Sequence, residues 1–259
     1  MSMTSDEVFG APCWVSLATH DLGAAQDFYG AVFGWSFRRT RLGEGFRVAS
    51  LDGLPVAGLG TANGQAVGPV AWTPYFAVPD ADVTAARIRE RGATVAVGPL
   101  ALGTGRAVIA ADPAGAVFGV WEGEVMSDWI GDPDGSPAWL RLRTQDAFAA
   151  AVFYGEVLDW ACERPGCCDV AYEHDHVVVR RGGATVARID AGATKDAVDA
   201  LARPRWDVHF AVADLDAATG TAVHLGAAVV SLVETSPFGR RVTLRDPEGA
   251  LFSVSEETT

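Results

Sequence analysis

Asp207 and His209 are a pair of side chains whose types and spacing suit acid–base chemistry. Residues two apart in a β-strand point to the same face of the sheet. An imidazole and a carboxylate on one face can act as a general acid–base pair, or the carboxylate can orient the imidazole. A pair at the rim of the sheet with no role explains the spacing equally well, so both interpretations stay open.

A second cluster contains thiols and imidazoles, the side chains that zinc prefers. Its members are Cys162, Cys167, Cys168, His174 and His176. The spacing matches no known zinc motif, and His174–His176 is predicted to lie in a turn or strand, so we expect no metal here. With Cys13 these are the four cysteines of the chain. We expect them to be reduced, because a chain of 259 residues can build a core without disulfides.

The overall charge restricts the partners of the protein. Twenty basic and 33 acidic side chains give a formal net charge of −13, which repels phosphate backbones and anionic lipids. No apolar run reaches about 18 residues, and residues 1–7 lack the pattern of a signal peptide. We therefore expect a soluble, cytoplasmic protein that binds neither nucleic acid nor membranes.

An internal repeat organises the chain. Residues 14–35 recur as residues 139–160, and residues 72–120 recur as residues 206–254. The repeat predicts two domains, at 10–125 and 138–257, joined by a linker rich in Gly, Asp and Pro at 126–137. The chain is then its own pseudo-dimer, and the sequence leaves further self-association open.

Each half contains the same order of elements twice. A strand at 14–18 precedes a helix at 21–33 and three short strands; a strand at 73–78 precedes a helix from Asp80 to Arg91 and three more. Asp112–Gly115 has the composition of a type I turn between the last two strands. These patterns predict an α+β fold of four βαβββ modules, in which each helix covers one face of a mixed sheet.

The motif D-L-x-x-A-x-x-F-Y-G-x-V-F-G-W at 21–35 and the motif D-P-x-G-x-x-F at 112–118 resemble the glyoxalase/bleomycin-resistance/extradiol dioxygenase group, the vicinal oxygen chelate superfamily. The resemblance covers nearly the whole chain, twice. It implies two tandem glyoxalase-like domains whose sheets curve into half-barrel cavities. Because the superfamily includes lyases, ring-cleaving dioxygenases, epimerases, transferases and non-catalytic drug-binding proteins, the activity stays open.

The resemblance also implies three metal-ligand positions in each half, which metal-using members fill with His or Gln, His, and Glu. The corresponding residues are Trp14, Thr73 and Gly119 in the first half, and Trp139, Asp207 and Ser253 in the second. A divalent metal needs at least three N, O or S donors. Neither these sets nor the sets obtained by exchanging strands between halves supply them, so we expect no metal and no other cofactor.

Strand alternation predicts which side chains line the cavities instead. One cavity is expected to contain Trp14, Ser16, Asp207, His209, Ser253 and Ser255, and the other Trp139, Arg141, Thr73, Tyr75, Val117 and Trp121. A tryptophan on each floor suits a planar or amphipathic organic ligand. Arg141 either binds an anionic ligand or pairs with a nearby carboxylate. Trp35 and Trp160, which begin the second strands, are expected in the core.

Three function classes follow from these patterns. The first is a metal-independent protein that binds a hydrophobic or aromatic small molecule, such as a natural product, for resistance or sequestration. The second is a metal-free enzyme that acts on a reactive intermediate, with Asp207 and His209 as the candidate catalytic residues. The third is a metal-dependent lyase or dioxygenase of the glyoxalase type. The sequence favours them in this order.

Overall fold

The computed structural model describes residues 2–4, 10–61, 70–126, 129, 138–162, 166–236 and 239–256. Within them it contains four α-helices and eighteen strands. Of the predicted linker at 126–137, Met126 and Trp129 are described, and the other positions lie outside the described residues.

The first repeat forms a nine-stranded sheet with two helices. Its strands are β1 (Ser2–Thr4), β2 (Pro12–Thr19), β3 (Ser36–Thr40), β4 (Gly43–Leu51), β5 (Leu54–Thr61), β6 (Ala71–Ala77), β7 (Thr94–Leu102), β8 (Gly105–Ala111) and β9 (Val117–Met126). Its helices are α1 (Leu22–Phe33) and α2 (Ala81–Glu90). The strand order is β3-β4-β5-β2-β6-β9-β8-β7, with β1 paired to β9. The parallel pairs β2–β5 and β6–β9 combine with antiparallel hairpins in a mixed sheet.

The second repeat forms a matching nine-stranded sheet. Its strands are β10 (Ala138–Arg143), β11 (Asp169–Glu173), β12 (His176–Arg181), β13 (Ala184–Asp190), β14 (Arg205–Ala211), β15 (Ala228–Val229), β16 (Glu234–Ser236), β17 (Gly239–Arg245) and β18 (Leu251–Glu256). Its helices are α3 (Ala147–Leu158) and α4 (Leu215–His224), with a 3-10 turn at Ala200–Ala202. The strand order is β11-β12-β13-β10-β14-β18-β17-β15, and β16 pairs with β17.

The predicted α+β fold of four βαβββ modules is confirmed, and neither sheet closes into a barrel. Each helix begins after an aspartate, at Asp21, Asp80, Asp146 or Asp214, whose side chain accepts a hydrogen bond from a backbone N–H of the first turn. Helix α1 ends at Gly34, which has the left-handed conformation that favours glycine (φ 71°). Local sequence therefore sets where the helices start and stop.

By compactness the chain divides into two units. The first unit comprises residues 1–14 and 74–206, and the second comprises residues 15–73 and 207–259. Each unit thus joins the greater part of one module from each repeat. The division into domains at 10–125 and 138–257 stays a prediction.

In the second unit, a buried hydrogen-bond chain links three elements. The Tyr29 hydroxyl donates to the Asp246 carboxylate (2.8 Å) and accepts from the Trp72 indole N–H (3.0 Å). Tyr29 is completely buried, and it contacts Phe252 edge-on and stacks on Trp35. Burial is the main cause that raises the pKa of Tyr29 well above its ordinary value. These hydrogen bonds join α1 to the turn before β18 and to β6.

The first unit contains a second hydrogen-bond chain, formed by the same three residue types at other positions. The Tyr154 hydroxyl donates to Asp112 (3.1 Å) and accepts from the Trp206 indole N–H (2.9 Å). Asp112 also accepts backbone N–H bonds from Gly115 and Ala116 in the predicted turn (2.8 Å each). Burial raises the pKa of Asp112, and these donors oppose the rise.

The core positions of Trp35 and Trp160 are confirmed. Both tryptophans are buried, and each stacks on the tyrosine of its own unit, Trp35 on Tyr29 and Trp160 on Tyr154. The Trp160 indole N–H also donates to the Gly10 carbonyl (2.6 Å). These rings therefore belong to the packing of the two units.

The expectation of four reduced cysteines was wrong for two of them. Cys162 and Cys167 form a disulfide, with Cα atoms 5.9 Å apart, whereas Cys13 and Cys168 are free and buried. Burial raises the pKa of Cys168 to about 12, and it raises that of Cys13 as well. The two bonded cysteines are five residues apart in the sequence.

No helix among the described residues is long and apolar enough to cross a membrane.

We expect Tyr154→Phe to lower the free energy of unfolding by about 2–3 kcal/mol at neutral pH, because Oδ2 of the buried Asp112 carboxylate and the Trp206 indole N–H both lose the tyrosine hydroxyl. The Tyr154 hydroxyl lowers the pKa of Asp112, so its loss raises that pKa further in the folded state only. A carboxyl whose folded pKa is raised contributes stability below its unfolded pKa, and that stability is lost as pH rises.

The cost of Tyr154→Phe should therefore shrink as the pH falls toward about 4, the range of an unfolded aspartate. Urea denaturation at several pH values measures it. Tyr172→Phe is the control, since Tyr172 is exposed on β11. If Tyr154→Phe lowers the free energy of unfolding by the same amount at every pH, the cost does not come from the ionised Asp112 carboxylate.

Candidate functional site

The first unit carries aromatic side chains on the sheet face opposite its core. Cys13 of β2 and Phe76 of β6 are buried, whereas their neighbours Trp14 and Tyr75 are half-buried. On β9, Val120 is buried and Trp121 is half-buried. Because successive strand residues alternate between faces, Trp14, Tyr75 and Trp121 lie on the face away from the core. We call this surface the aromatic face.

The Tyr75 ring covers Gly119, which is its register partner in the parallel pair of β6 and β9. A Cβ atom built on Gly119 would lie 2.3 and 2.4 Å from two ring carbons of Tyr75. No side chain fits at position 119 while the ring is there. The resemblance described above implies a glutamate ligand at this position in metal-using members, and the Tyr75 ring occupies the space that such a side chain would need.

Trp121 makes a similar contact one strand further on. A Cβ atom on Gly105 would lie 2.4 Å from a ring carbon of Trp121, whose indole N–H donates to the Glu124 carbonyl (2.9 Å). At the other end of the face, the rings of Trp14 and Trp129 are tilted together with centroids 6.1 Å apart. Val117, on the same side of β9 as Gly119 and Trp121, is exposed. Glycines thus let two of the rings lie against the backbone.

In the second unit, the predicted residues Ser16 and Thr73 are half-buried. Ser16 of β2 is the register partner of Gly58 of β5. On the neighbouring strand, Phe46 is paired with Gly60, and a Cβ atom on that glycine would lie 3.1 Å from the ring. Here too, as at Tyr75 and Gly119, an aromatic ring lies over a glycine of the neighbouring strand.

The candidate catalytic pair lies in β14 of the second unit. Asp207 and His209 are both buried. His209 is the register partner of Ser253 in β18, and the Ser253 hydroxyl is 3.0 Å from that of Thr243 in β17. Ser255, two residues on, donates to the Phe210 carbonyl (3.5 Å). Burial argues against the interpretation of Asp207 and His209 as an exposed rim pair.

Arg141 forms an ion pair, which was one of its two predicted roles. Its Nε donates to Asp190, the last residue of β13, and both side chains are about one-fifth exposed. Trp139, two residues earlier on the same face of β10, is half-buried. Asp190 was not predicted. Two signals in the sequence pointed to it: it lies in the third strand after β10, and both β10 and β12 contain arginines that a carboxylate could pair with.

The residues at the superfamily's ligand positions do not fit a metal ion. Trp14 and Trp139 offer no suitable donor, Gly119 has no side chain and is covered by Tyr75, and Ser253 already bonds to Thr243. Asp207 is the one strong donor in the two sets. The described part of the chain also contains no group of three or more His, Cys, Asp or Glu arranged to hold a metal.

The Cys/His cluster does not converge on one ion either. Cys162 and Cys167 form the disulfide, and Cys168 is free and buried. His174 lies in the turn between β11 and β12 with a positive φ of 54°, and His176 begins β12. His176 Nδ1 lies 3.1 Å from the Asp175 carboxylate, which lowers the pKa of Asp175. The predicted turn or strand position of these histidines is confirmed.

The two predicted cavities combine residues from both units. Within the first unit the structure brings Tyr75, Gly119 and Trp121 together, and within the second it brings His209 and Ser253 together. The larger groupings stay predictions. The contact of Tyr75 with Gly119 was missed, although the glycine at a ligand position was a signal that something else fills that space.

Comparisons with known proteins identify the class. A family model described as "Glyoxalase-like domain" matches residues 139–255, and one described as "Bleomycin resistance protein-like N-terminal" matches residues 13–46. The Mn(II)-bound glyoxalase from Novosphingobium aromaticivorans aligns with a TM-score of 0.58 over 97% of this chain and 83% of that chain, at 17% identity. A catechol 2,3-dioxygenase aligns with a TM-score of 0.56 over 97% and 89%, at 15% identity. These structures share the fold.

The chain belongs to the vicinal oxygen chelate superfamily, as a tandem glyoxalase-like protein. It is 38% identical to "Anthracycline biosynthesis protein DnrV" of Streptomyces peucetius, a match that covers 95% of this chain and 93% of the relative. It is 30% identical to "Putative glyoxylase CFP32" of Mycobacterium bovis, over 95% and 94%. The resemblance inferred from the two motifs is thereby confirmed.

We expect Gly119→Ala to lower the free energy of unfolding by about 1–3 kcal/mol, because the new methyl group must displace the Tyr75 ring. Gly155→Ala is the matched control. Gly155 lies inside α3 with nothing within 4 Å of an added Cβ, so alanine there should stabilise by about 0.5–1 kcal/mol.

The double variant Tyr75→Ala/Gly119→Ala should cost less than the sum of the two single changes, because the clash is gone. Urea denaturation of the four proteins gives the coupling. Additive costs would mean that the ring does not lie over Gly119.

Proposed function

We propose that this protein binds a planar, largely apolar aromatic small molecule on its aromatic face, without a metal ion. The observation that carries the proposal is the Tyr75 ring over Gly119, a position at which the resemblance implies a metal ligand in metal-using members. The half-buried rings of Trp14 and Trp121 extend that surface. Stacked aromatic pairs contribute roughly 0.5–1.5 kcal/mol each beyond the burial of their area.

The relatives suggest the kind of ligand. DnrV and DauV are both described as anthracycline biosynthesis proteins, and each is matched along 95% of this chain. We propose that the ligand here is likewise a polycyclic aromatic natural product or a precursor of one. Such a molecule is planar and carries few charges, and both properties suit rings seated against glycines.

The biological role that we propose is sequestration of, or resistance to, this aromatic molecule. Binding alone suffices for such a role, since a protein that holds a reactive or toxic compound lowers its free concentration. The acidic net charge of −13 is compatible with an uncharged ligand, which needs no electrostatic attraction to reach the site.

A second candidate function is metal-free catalysis. The observation that favours it is the burial of Asp207 and His209 on one face of β14, next to the bonded hydroxyls of Ser253 and Thr243. A buried imidazole beside polar groups can move a proton to or from a phenol or ketone of a bound intermediate. In that case the protein would convert its ligand, and the conversion would depend on His209.

Titration of tryptophan fluorescence with a neutral hydroxyanthraquinone tests the proposal. The wild-type protein should bind the hydroxyanthraquinone, and binding should quench its tryptophan fluorescence. Tyr75→Ala should bind at least about tenfold more weakly, a loss of about 1.4 kcal/mol, because a stacking partner is removed. Tyr172→Ala, which removes an exposed tyrosine of the same unit, should change the affinity by less than about twofold.

The same samples separate binding from catalysis. Mass spectrometry of the recovered probe should show no change of mass if the protein is a binder. A new product that disappears in His209→Gln would support the second function instead. Equal affinities of Tyr75→Ala and the wild type would overturn the placement of the ligand on the aromatic face.

A further inference from the structure

Two neighbouring strands of the second repeat carry an unusual concentration of charge. Strand β10 contains Arg141 and Arg143, and the adjacent parallel strand β13 contains Arg188 and Asp190. In the register, Arg141 lies beside Arg188 and Arg143 lies beside Asp190. Three guanidinium groups and one carboxylate therefore come from these two strands, in a protein with a net charge of −13.

All four charged side chains lie on one face. Their neighbours Leu140, Leu142, Ala187 and Ile189 are buried in the core. Alternation along the strands then places the charged residues on the opposite face, together with Trp139. Each of the four is only partly exposed, so the guanidinium groups have lost part of their hydration.

The contacts on this face hold two of the arginines in fixed positions. Arg141 pairs with Asp190, and Arg188 Nη2 lies 3.0 Å from His176 Nε2. Because a guanidinium group has only donors, Nε2 must be the acceptor, and His176 then donates from Nδ1 to Asp175.

The fold does not require these charges. The corresponding strands of the first repeat are β2 and β5, where Ser16 lies beside Gly58 and Ala18 beside Gly60. Neither of those strands contains a charged residue. Since the corresponding strands of the first repeat pair with small neutral residues, the pairing of β10 with β13 does not itself call for three arginines and an aspartate.

We propose that this face of β10 and β13 is a binding site for an aryl carboxylate. A guanidinium group matches a carboxylate with two parallel hydrogen bonds, and arginine fixed by its neighbours loses little entropy on binding. Trp139 lies two residues before Arg141 on the same face and supplies an aromatic surface for the ring of the ligand. The site is distinct in residues and chemistry from the uncharged aromatic face of the first repeat.

Calorimetric titration with 1-naphthoate and with 1-naphthamide at constant ionic strength tests this inference in the wild-type protein. The two probes share their shape and differ in charge. The carboxylate should bind at least about tenfold more tightly than the amide, because only the carboxylate pairs with arginine. Equal affinities would overturn the proposal.

Two variants place the site. Arg188→Gln should weaken binding of naphthoate at least about tenfold, and so should the double variant Arg141→Gln/Asp190→Asn, which removes an ion pair without leaving a lone carboxylate. Arg39→Gln is the control for Arg188→Gln, because it makes the same change of charge at an exposed residue of the second unit. Its effect should stay below about twofold. Circular dichroism verifies that each variant is folded.

Unchanged binding in both folded variants would overturn the assignment, and so would displacement of naphthoate by inorganic phosphate at an equal concentration, which indicates a general anion site. If a variant fails to fold, the comparison of carboxylate with amide in the wild type still decides. This site does not rest on the proposed function. The two tests use different probes and different variants, so either proposal can fail alone.

Discussion

The buried chain of three polar groups, an aspartate, a tyrosine and a tryptophan, is the constraint on which both units depend. In the second unit it is Asp246, Tyr29 and Trp72, and in the first it is Asp112, Tyr154 and Trp206. A carboxylate can stay in a core only if donors surround it. The tyrosine hydroxyl serves as donor and acceptor at once, so it fixes a helix, a turn and a strand to one point.

Because these hydrogen bonds hold the core face of each unit together, the residues on the opposite face of each sheet can differ between the repeats. In the first repeat that face has rings seated on glycines, as at Tyr75 and Gly119. In the second repeat it has arginines, and a buried Asp207 and His209. One fold thus presents an uncharged aromatic surface in one repeat and a charged surface in the other.

Much of the fold follows from the sequence, because the repeat shows the same signals several times. The aspartate that caps each helix and the glycine after α1 are local features that one segment determines alone. The core positions of Trp35 and Trp160 follow from their place at the start of strands. The polar chain through Tyr29 could also have been inferred, since its three residue types recur together in the repeat.

The candidate site was less predictable, because it depends on which strands become neighbours. Tyr75 and Gly119 are 44 residues apart, and only the register of β6 with β9 makes them partners. Arg141 and Asp190 meet in the same way through β10 and β13. The disulfide between Cys162 and Cys167 was missed for another reason: the size of the chain argued against a need for it, although the two cysteines are only five residues apart in the sequence.

We propose that an aromatic surface takes the place of the metal ion that other members of the superfamily use. The most direct test is a titration with the neutral hydroxyanthraquinone before and after dialysis against a chelator, with the metal content of each sample measured by mass spectrometry. We expect far fewer metal ions than protein chains, and affinities that agree within about twofold before and after dialysis. Loss of binding on chelation, restored by one equivalent of a divalent transition metal, would contradict it.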